Sequence, residues 1–192
     1  MSPLTVSAQA MEVIEKRQSP VLSWYVDLTM LGRYWTAPSG GGTRMYHHTP
    51  PMTMLYALRE GLRIVLEEGL EARFARHKRN AHALHDGLEA MGLVLHAQEG
   101  YRLKPLTTVR IPEGVDDLKL RQGLLHEHNI EVGGGIAALQ GKILRIGLMG
   151  VGSTESNVFS LLHALETQLP RQGFKLEPGA GVAAAARYYA AN

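Results

Sequence analysis

The sequence predicts an α+β domain from Leu70 onward, with a small, mostly antiparallel sheet covered by helices on one face. Three observations predict it. The segments follow the order helix, strand, strand, helix, strand, strand, helix. The strand candidates are short and lie close to glycine or proline. The helical segments carry apolar residues at three- and four-residue steps, which gives each helix one face to bury.

The first 68 residues are typical of part of a larger domain. Leu4–Val6 is predicted to be the end of a buried strand, and Ser7 is predicted to cap a helix that runs to about Arg17. Residues 24–35 are apolar and aromatic and predict a second helix, whose rings we expect in a core or an interface. Because a strand end and two helices cannot enclose a core, this part indicates an incomplete domain.

Polar and ring-bearing side chains are concentrated at residues 44–51, directly after a glycine-rich loop at 39–43. We expect Thr49 to be a helix N-cap and Pro50 the first helical residue. Since Pro50 and Pro51 have no N–H, an anion at this helix start would need the hydroxyls of Tyr46 and Thr49, and Arg44. A capped helix with its tyrosine and histidines packed at a surface accounts for the same residues.

Two amphipathic helices follow, one from Thr53 to Glu68 and one from Leu70 to Met91, with Gly69 as a stop or hinge. Four basic residues lie largely off the apolar stripe of the second helix: Arg73, Arg76, Lys78 and Arg79. We expect them to form a solvated face.

The remaining segments complete the predicted sheet and its helices. The strand candidates are residues 93–96, 107–111, 130–132 and 142–148. Asp116 is predicted to cap a helix that ends near His128, and Ser153 or Thr154 to cap the last amphipathic helix. Residues 171–192 are rich in glycine and alanine and predict a tail with at most one short peripheral helix. The predicted domains are therefore 1–68, 69–170 and the tail at 171–192.

Composition narrows the function classes. Lysine and arginine number 20 against 18 acidic residues, and a net charge of +2 is too small to indicate a nucleic-acid partner. Without cysteine, a disulfide framework and cysteine metal sites are excluded. No apolar run has membrane-spanning length and no signal peptide is recognisable, so we expect a cytoplasmic protein without membrane contact.

Other motifs carry less weight. The pairs His82/His85 and His126/His128 are not expected to hold a metal, because the first lies beside a basic run and the second faces two sides of a helix. The glycines at 133–135 do not form a phosphate loop, since Lys142 is too distant and no serine or threonine follows it. We expect a flexible loop near a site.

Two motifs resemble those of the class V aminotransferases, of the alanine–glyoxylate and serine–glyoxylate type. The first is Arg-Met-Tyr-His-His-Thr-Pro at 44–50, and the second is Gly-Lys-Ile-Leu-Arg-Ile-Gly-Leu-Met-Gly at 141–150. The stretches at 23–27 and 58–60 also fit, and the similarity runs from Pro3 to about Leu169. Members of this family are α/β enzymes of fold type I that use pyridoxal phosphate (PLP).

The resemblance implies that the chain is the end of the large PLP-binding domain followed by the small C-terminal domain. It implies that Tyr46 and Thr49 contact the PLP phosphate of the neighbouring subunit, in a homodimer with shared active sites. It also implies that Arg145 binds the carboxylate of an amino acid or 2-oxo acid substrate; without it, Arg145 would simply be a solvent-exposed strand residue. His47 and His48 are adjacent, so we expect them to point apart and to have supporting or interface roles.

The family's Schiff-base lysine is expected upstream of Met1, because none of the six lysines lies in the family's Ser-x-Lys context. We therefore expect no catalytic residue in this chain and no transaminase activity from it alone. Two alternatives stay open. One is a non-catalytic partner-binding module or half of a split enzyme, which would expose apolar surface on residues 4–35. The other is a stand-alone binder of phosphate-bearing ligands that uses Tyr46 and Thr49.

Overall fold

The computed structural model describes residues 3–35 and 45–192 of the chain. The predicted glycine-rich loop at 39–43 and Arg44 lie outside these residues. Contacts within the backbone divide the chain into two units, Met1–Glu67 and Glu68–Asn192. The domain boundaries predicted from the sequence stay a prediction. None of the helices in the described ranges is long and apolar enough to cross a membrane.

Helices in the first unit begin where local capping allows. Helix α1 spans Ala8–Glu15, and the hydroxyl of Ser7 caps it by accepting from the amide of Ala10 at 3.2 Å. A 3-10 turn at Trp24–Val26 precedes helix α2, Leu28–Trp35. The predicted strand end at residues 4–6 is wrong, since these residues have no strand partner in the described part of the chain and adopt no regular structure.

The third helix begins later than predicted. Helix α3 spans Met52–Glu68, and the carbonyl of Pro51 accepts a helical hydrogen bond from Leu55 at 3.0 Å. Pro50 is not the first helical residue, because the residue before a proline is sterically disfavoured in the α conformation. Thr49 is consequently too far from the helix start to cap it.

The first unit has no apolar core of its own. Among its described residues no hydrophobic side chain is buried, and His47 is the one buried residue. Several large apolar side chains are more than half exposed: Leu4, Leu22, Trp24, Trp35, Leu62 and Leu66.

The second unit contains four α-helices and a three-stranded sheet. Its helices are α4 (Leu70–Ala90), α5 (Asp117–His128), α6 (Glu155–Gln168) and α7 (Ala180–Ala191). Its strands are β1 (Leu106–Arg110), β2 (Gly133–Gly134) and β3 (Ile143–Gly147). The sheet has the order β1-β3-β2 with both pairs antiparallel, which confirms the predicted fold class. The candidate strand at 93–96 forms only a bridge, between Leu95 and Val109.

Alternation along the central strand β3 decides which side of the sheet carries the core. Leu144 and Ile146 are buried in the hydrophobic core, whereas Arg145 is half-buried and Gly147 is exposed. Because successive strand side chains point to opposite faces, Arg145 projects from the face opposite the core. The buried face packs against core leucines from α4 and α6, including Leu84 and Leu162.

The last helix is part of the core and not a peripheral segment. Ala185 is fully buried and Tyr189 is 8% exposed. A Cβ atom on Gly181 would lie 2.9 Å from the Met91 side chain and 3.0 Å from the Gly87 carbonyl, so these glycines let α7 and α4 approach closely. Gly181 and Gly87, which contribute to no apolar pattern in the sequence, are therefore the residues that permit this packing.

Of the four basic residues predicted to form a solvated face on α4, Lys78 is exposed, whereas Arg73 and Arg76 are half-buried in ion pairs. Arg73 and Arg76 both pair with Glu68, and Arg76 also donates to the carbonyl oxygens of Gly150 and Ser153 at 2.9 and 2.6 Å. The hydrogen bonds from Arg76 and then Arg73 lower the pKa of Glu68 to about 2. Arg76 therefore holds the loop before α6 against α4, because its guanidinium carries several donors in fixed directions.

Candidate functional site

Two hydroxyls meet just before α3. The hydroxyl of Tyr46 and Oγ1 of Thr49 are hydrogen-bonded to each other, and both side chains are exposed, Tyr46 by 64%. The ring of Tyr34 on α2 packs edge-on against Tyr46, with centroids 5.8 Å apart. One hydroxyl proton is shared within the pair, so the pair retains one donor and several acceptor sites. A hydroxyl pair of this kind can donate a hydrogen bond to a phosphate oxygen. Because Pro50 and Pro51 have no backbone N–H, an anion at this point would depend on such side-chain donors.

The two histidines between those hydroxyls do not point apart. The His47 ring stacks on Trp24 with centroids 4.0 Å apart, and the His48 ring stacks on Tyr25 at 4.5 Å. Their Nδ1 atoms are 2.6 Å apart, so one carries the proton that the other accepts. The expectation was wrong because stacking on two successive rings of the 3-10 turn holds both imidazoles on one side.

His47 is only 2% exposed, and its Nε2 atom has no hydrogen-bond partner among the described residues. Together with the stacked rings, this buried imidazole fixes the course of the chain between Tyr46 and Thr49.

Arg145 lies in the middle of the sheet, on strand β3. Its backbone pairs with Thr108 on one side and Gly133 on the other. Its Nε atom donates to the carbonyl oxygen of Gly134 at 2.7 Å. In the described part of the chain, no carboxylate pairs with this guanidinium. A fixed guanidinium without an acidic partner can bind an external carboxylate by donating two parallel hydrogen bonds.

Two of the glycines at 133–135 form a strand of the sheet and not a flexible loop. Gly133 and Gly134 constitute β2 and pair with Arg145 and Leu144. A Cβ atom on Gly135 would overlap the carbonyl oxygen of Leu139. The sequence prediction failed here because glycine has little intrinsic preference for strands, and this strand depends on contacts distant in sequence.

A cleft of about 430 Å³ in the second unit was missed by the sequence analysis; it is lined by His82, His85, Asp86, Glu89, Glu99, Gly100, Arg102, Lys104 and Tyr188. His85 is buried and its Nε2 lies 3.0 Å from Oγ1 of Thr107. Burial and then the charges of Arg102 and Lys104 lower the pKa of His85 to about 4. The three-residue spacing of His82 and His85 on one helix was the signal that could have located it.

Among residues 3–35 and 45–192, no group of three or more histidine, aspartate or glutamate side chains is arranged to hold a metal ion. His82 Nε2 instead lies 2.8 Å from Lys104 Nζ, and His128 Nε2 lies 3.2 Å from Gln168 Nε2.

The predicted site residues fall into two groups. Tyr46 and Thr49 belong to the first unit, where the structure brings their hydroxyls together. Arg145 belongs to the second unit, where Gly134 holds it.

Comparison with known proteins gives a consistent set of relatives. No protein-family model matches the chain. The (S)-ureidoglycine–glyoxylate transaminase of Bacillus subtilis is 38% identical over 98% of this chain and 49% of the relative. The alanine–glyoxylate aminotransferase of Callithrix jacchus is 40% identical over 88% of this chain and 40% of the relative. The chain thus spans about half the length of the curated relatives it matches.

Structural comparison agrees. The crystal structure of the B. subtilis ureidoglycine–glyoxylate aminotransferase matches with a TM-score of 0.85 at 41% identity, covering 97% of this chain and 47% of that one. A match that covers 97% of this chain extends over both units.

Proposed function

From its membership of the class V aminotransferases, we propose that this chain is the C-terminal portion of a PLP-dependent transaminase of the alanine/serine–glyoxylate type. The reaction would transfer an amino group to a 2-oxo acid such as glyoxylate. The relatives' names share glyoxylate and differ in the amino donor, which supports a common acceptor. The observation that carries the proposal is Arg145, a guanidinium fixed on the face opposite the core with no carboxylate partner in the described part of the chain.

Arg145 would bind the carboxylate that every amino acid and 2-oxo acid substrate shares. A guanidinium binds a carboxylate through two parallel hydrogen bonds, which fixes orientation as well as position. This interaction is common to donor and acceptor, so one arginine serves both halves of a transamination. Other parts of the site must then distinguish the substrates.

Tyr46 and Thr49 would hold the phosphate of PLP. Their exposed, mutually bonded hydroxyls fit a phosphate, since they donate hydrogen bonds without adding a charge that competes for the substrate carboxylate. Bound PLP supplies an electron sink for the carbanion character that develops at the substrate. By the family resemblance, the phosphate belongs to the neighbouring subunit of a homodimer, so this pair would act across the interface.

The chain alone is expected to be inactive, because its lysines do not lie in the family's context for the PLP-bound lysine. The test is titration of the purified chain with PLP, followed by borohydride trapping and peptide mapping. We expect neither turnover of glyoxylate nor a stoichiometric adduct on one lysine. A single modified lysine accompanied by turnover would overturn the proposal that the chain is a partial active site.

A hybrid enzyme tests the proposed role of Arg145. In it, this chain replaces the matching half of the B. subtilis relative. We expect glyoxylate-dependent transamination, and we expect Arg145→Lys to weaken oxo-acid binding about tenfold to a hundredfold, for the loss of one charge-assisted pair. A folded hybrid that binds PLP but does not use glyoxylate would contradict the proposal.

The phosphate contact has a matched control on α3. In the same hybrid, Tyr46→Phe with Thr49→Ala should raise the dissociation constant of PLP. Thr53→Ala with Tyr56→Phe makes the same chemical change at exposed positions of α3, and it should leave PLP affinity unchanged. Equal affinities for the two double variants would exclude the phosphate role.

A second candidate function is that of one half of a split enzyme, favoured by the exposed apolar residues of the first unit. Leu4 is 70%, Leu22 97% and Trp35 82% exposed. Apolar surface of this extent normally marks a contact with another polypeptide. The chain alone should self-associate in size-exclusion chromatography, and the remaining half of the B. subtilis relative, added as a separate polypeptide, should relieve this. A monomeric chain unaffected by that addition would exclude the idea.

A further inference from the structure

We propose that Gly133 is a positioning residue for Arg145, because its missing side chain provides the space in which the guanidinium lies. The inference rests on the proposed carboxylate-binding role of Arg145. It assigns a purpose to strand β2, which consists of two glycines and therefore contributes no side chain to the sheet.

The register of the sheet places Gly133 directly opposite Arg145. Residues paired in this way project from the same face of an antiparallel sheet. A Cβ atom on Gly133 would lie 3.2 Å from Nη2 of Arg145 and 3.4 Å from both Cζ and Nε. Three atoms of the guanidinium are therefore packed over the space that a side chain at Gly133 would occupy.

The next residue fixes the guanidinium from a second direction. The carbonyl oxygen of Gly134 accepts from Nε of Arg145 at 2.7 Å. This bond uses the edge of the guanidinium that Nε shares with one terminal nitrogen. The outer edge, made by the two Nη atoms, is left for a carboxylate. Strand β2 thus sets both the position of the guanidinium and the edge that it presents.

Gly134 has a different packing requirement on the other face. A Cβ atom there would lie 3.2 Å from Nε of Arg121 and 3.2 Å from Oδ2 of Asp117. These two side chains form an ion pair at 2.8 Å in the first part of α5. The absence of a side chain lets β2 lie against this pair, which keeps the Gly134 carbonyl where Arg145 needs it.

The experiment uses the full chain labelled with ¹⁵N-arginine, in which the Arg145 Nε–H signal is assigned by its loss in Arg145→Lys. The probe is oxamate, an unreactive analogue of a 2-oxo acid, titrated by NMR. In Gly133→Val we expect the Arg145 Nε–H to exchange at least tenfold faster and oxamate to bind about tenfold more weakly. Gly133→Ala should give intermediate values, because its single methyl group displaces the guanidinium less.

Gly147→Val is the matched control. Gly147 lies two residues from Arg145 on the same strand and face, it is exposed, and its Cβ would meet only the Met149 methyl group at 3.9 Å. We expect this variant to leave both the Nε–H exchange and the oxamate affinity unchanged. Valine is also favoured in strands, so neither valine variant should weaken the sheet itself. If Gly133→Val nevertheless shifts the backbone amide signals of β3, the test of Gly133 as a positioning residue uses Gly133→Ala instead.

The outcomes separate the two proposals. If Arg145→Lys binds oxamate as well as the parent chain does, the carboxylate-binding role fails, and with it the proposed function. If Arg145→Lys weakens binding but the Gly133 variants behave like Gly147→Val, Arg145 keeps its role and Gly133 does not position it. The inference is supported if the Arg145 Nε–H exchanges faster and oxamate binds more weakly in the Gly133 variants but not in Gly147→Val.

Discussion

Removing one hydroxyl from α7 should destabilise the second unit measurably. The Tyr189 hydroxyl donates to Oδ1 of Asn80 at 2.8 Å, and Asn80 is 3% exposed. The Asn80 amide nitrogen donates in turn to the carbonyl oxygen and Oγ of Ser153, at 2.9 and 3.1 Å. Burial raises the pKa of Tyr189 to about 12, so its hydroxyl stays protonated and able to donate at neutral pH.

The cost follows from leaving a buried acceptor without a donor. Tyr189→Phe should lower the free energy of unfolding by about 1–3 kcal/mol, the penalty of one unsatisfied buried polar group. Asn80→Ala removes three hydrogen bonds and leaves a small cavity, so we expect a loss of about 2–4 kcal/mol. The double variant should lose about 1–2 kcal/mol less than the sum of the two, because both variants break the same bond.

The assay must report on the second unit. Both tryptophans, Trp24 and Trp35, lie in the first unit, so their fluorescence does not follow the unfolding of the second. Native-state hydrogen exchange of the buried amides in α4 and α6 does. The control is Tyr101→Phe, the same change at a residue that is 79% exposed, which should stay within about 0.5 kcal/mol of the parent chain. If Tyr189→Phe is as mild as this control, the hydrogen-bonded contact between α7 and α4 contributes nothing and the reasoning is refuted.

Three further predictions concern the second unit. The pKa of His85 is lowered from 6.5 to about 4, so the unfolded chain takes up a proton first as the pH falls through this range. Because of this group, the free energy of unfolding should fall by about 2 kcal/mol between pH 7.5 and 5. Urea titrations of His85→Gln should lack that fall. Gly135→Ala places its methyl group on a backbone carbonyl oxygen and should cost at least about 2 kcal/mol in thermal unfolding, whereas Gly147→Ala should be mild. The pKa of Glu68 is lowered from 4.5 to about 2, so its contribution to the free energy of unfolding is present above pH 4.5 and is lost as the pH falls towards 2. Acid unfolding of Glu68→Gln should therefore depend less on pH in this range. Acid unfolding of Glu71→Gln, the control on α4, should match that of the parent chain.

Features that depend only on residues close in sequence could be predicted from the sequence. Ser7 and Asp116 cap their helices as predicted, and Thr154, one of two residues considered, caps α6. Each cap needs only a side-chain oxygen and an amide three residues on. The alternation of Leu144 and Ile146 with an arginine likewise places the arginine opposite the core without knowledge of the partner strands.

Features that depend on distant partners were not readable. Helix α7 is built largely from alanine, and its close packing against α4 depends on Gly87, a residue distant in sequence. The stacking of His47 on Trp24 joins residues 23 positions apart, and it reverses the expectation that adjacent side chains diverge. The start of α3 was misjudged for a local reason, because the second proline restricts the first more strongly than Thr49 favours a cap.

The shortness of β2 has a consequence for how the chain behaves at high concentration. A strand of two residues offers almost no free backbone edge to another molecule. The opposite edge of the sheet is covered, since the amide of Arg110 and the carbonyl of Thr108 already bond to Val94 and His96. Neither edge is a template for adding strands from other molecules, which disfavours fibrous association through this sheet. Precipitation of the isolated chain should instead be amorphous and driven by the apolar side chains of the first unit, so detergents below their micellar concentration should suppress it.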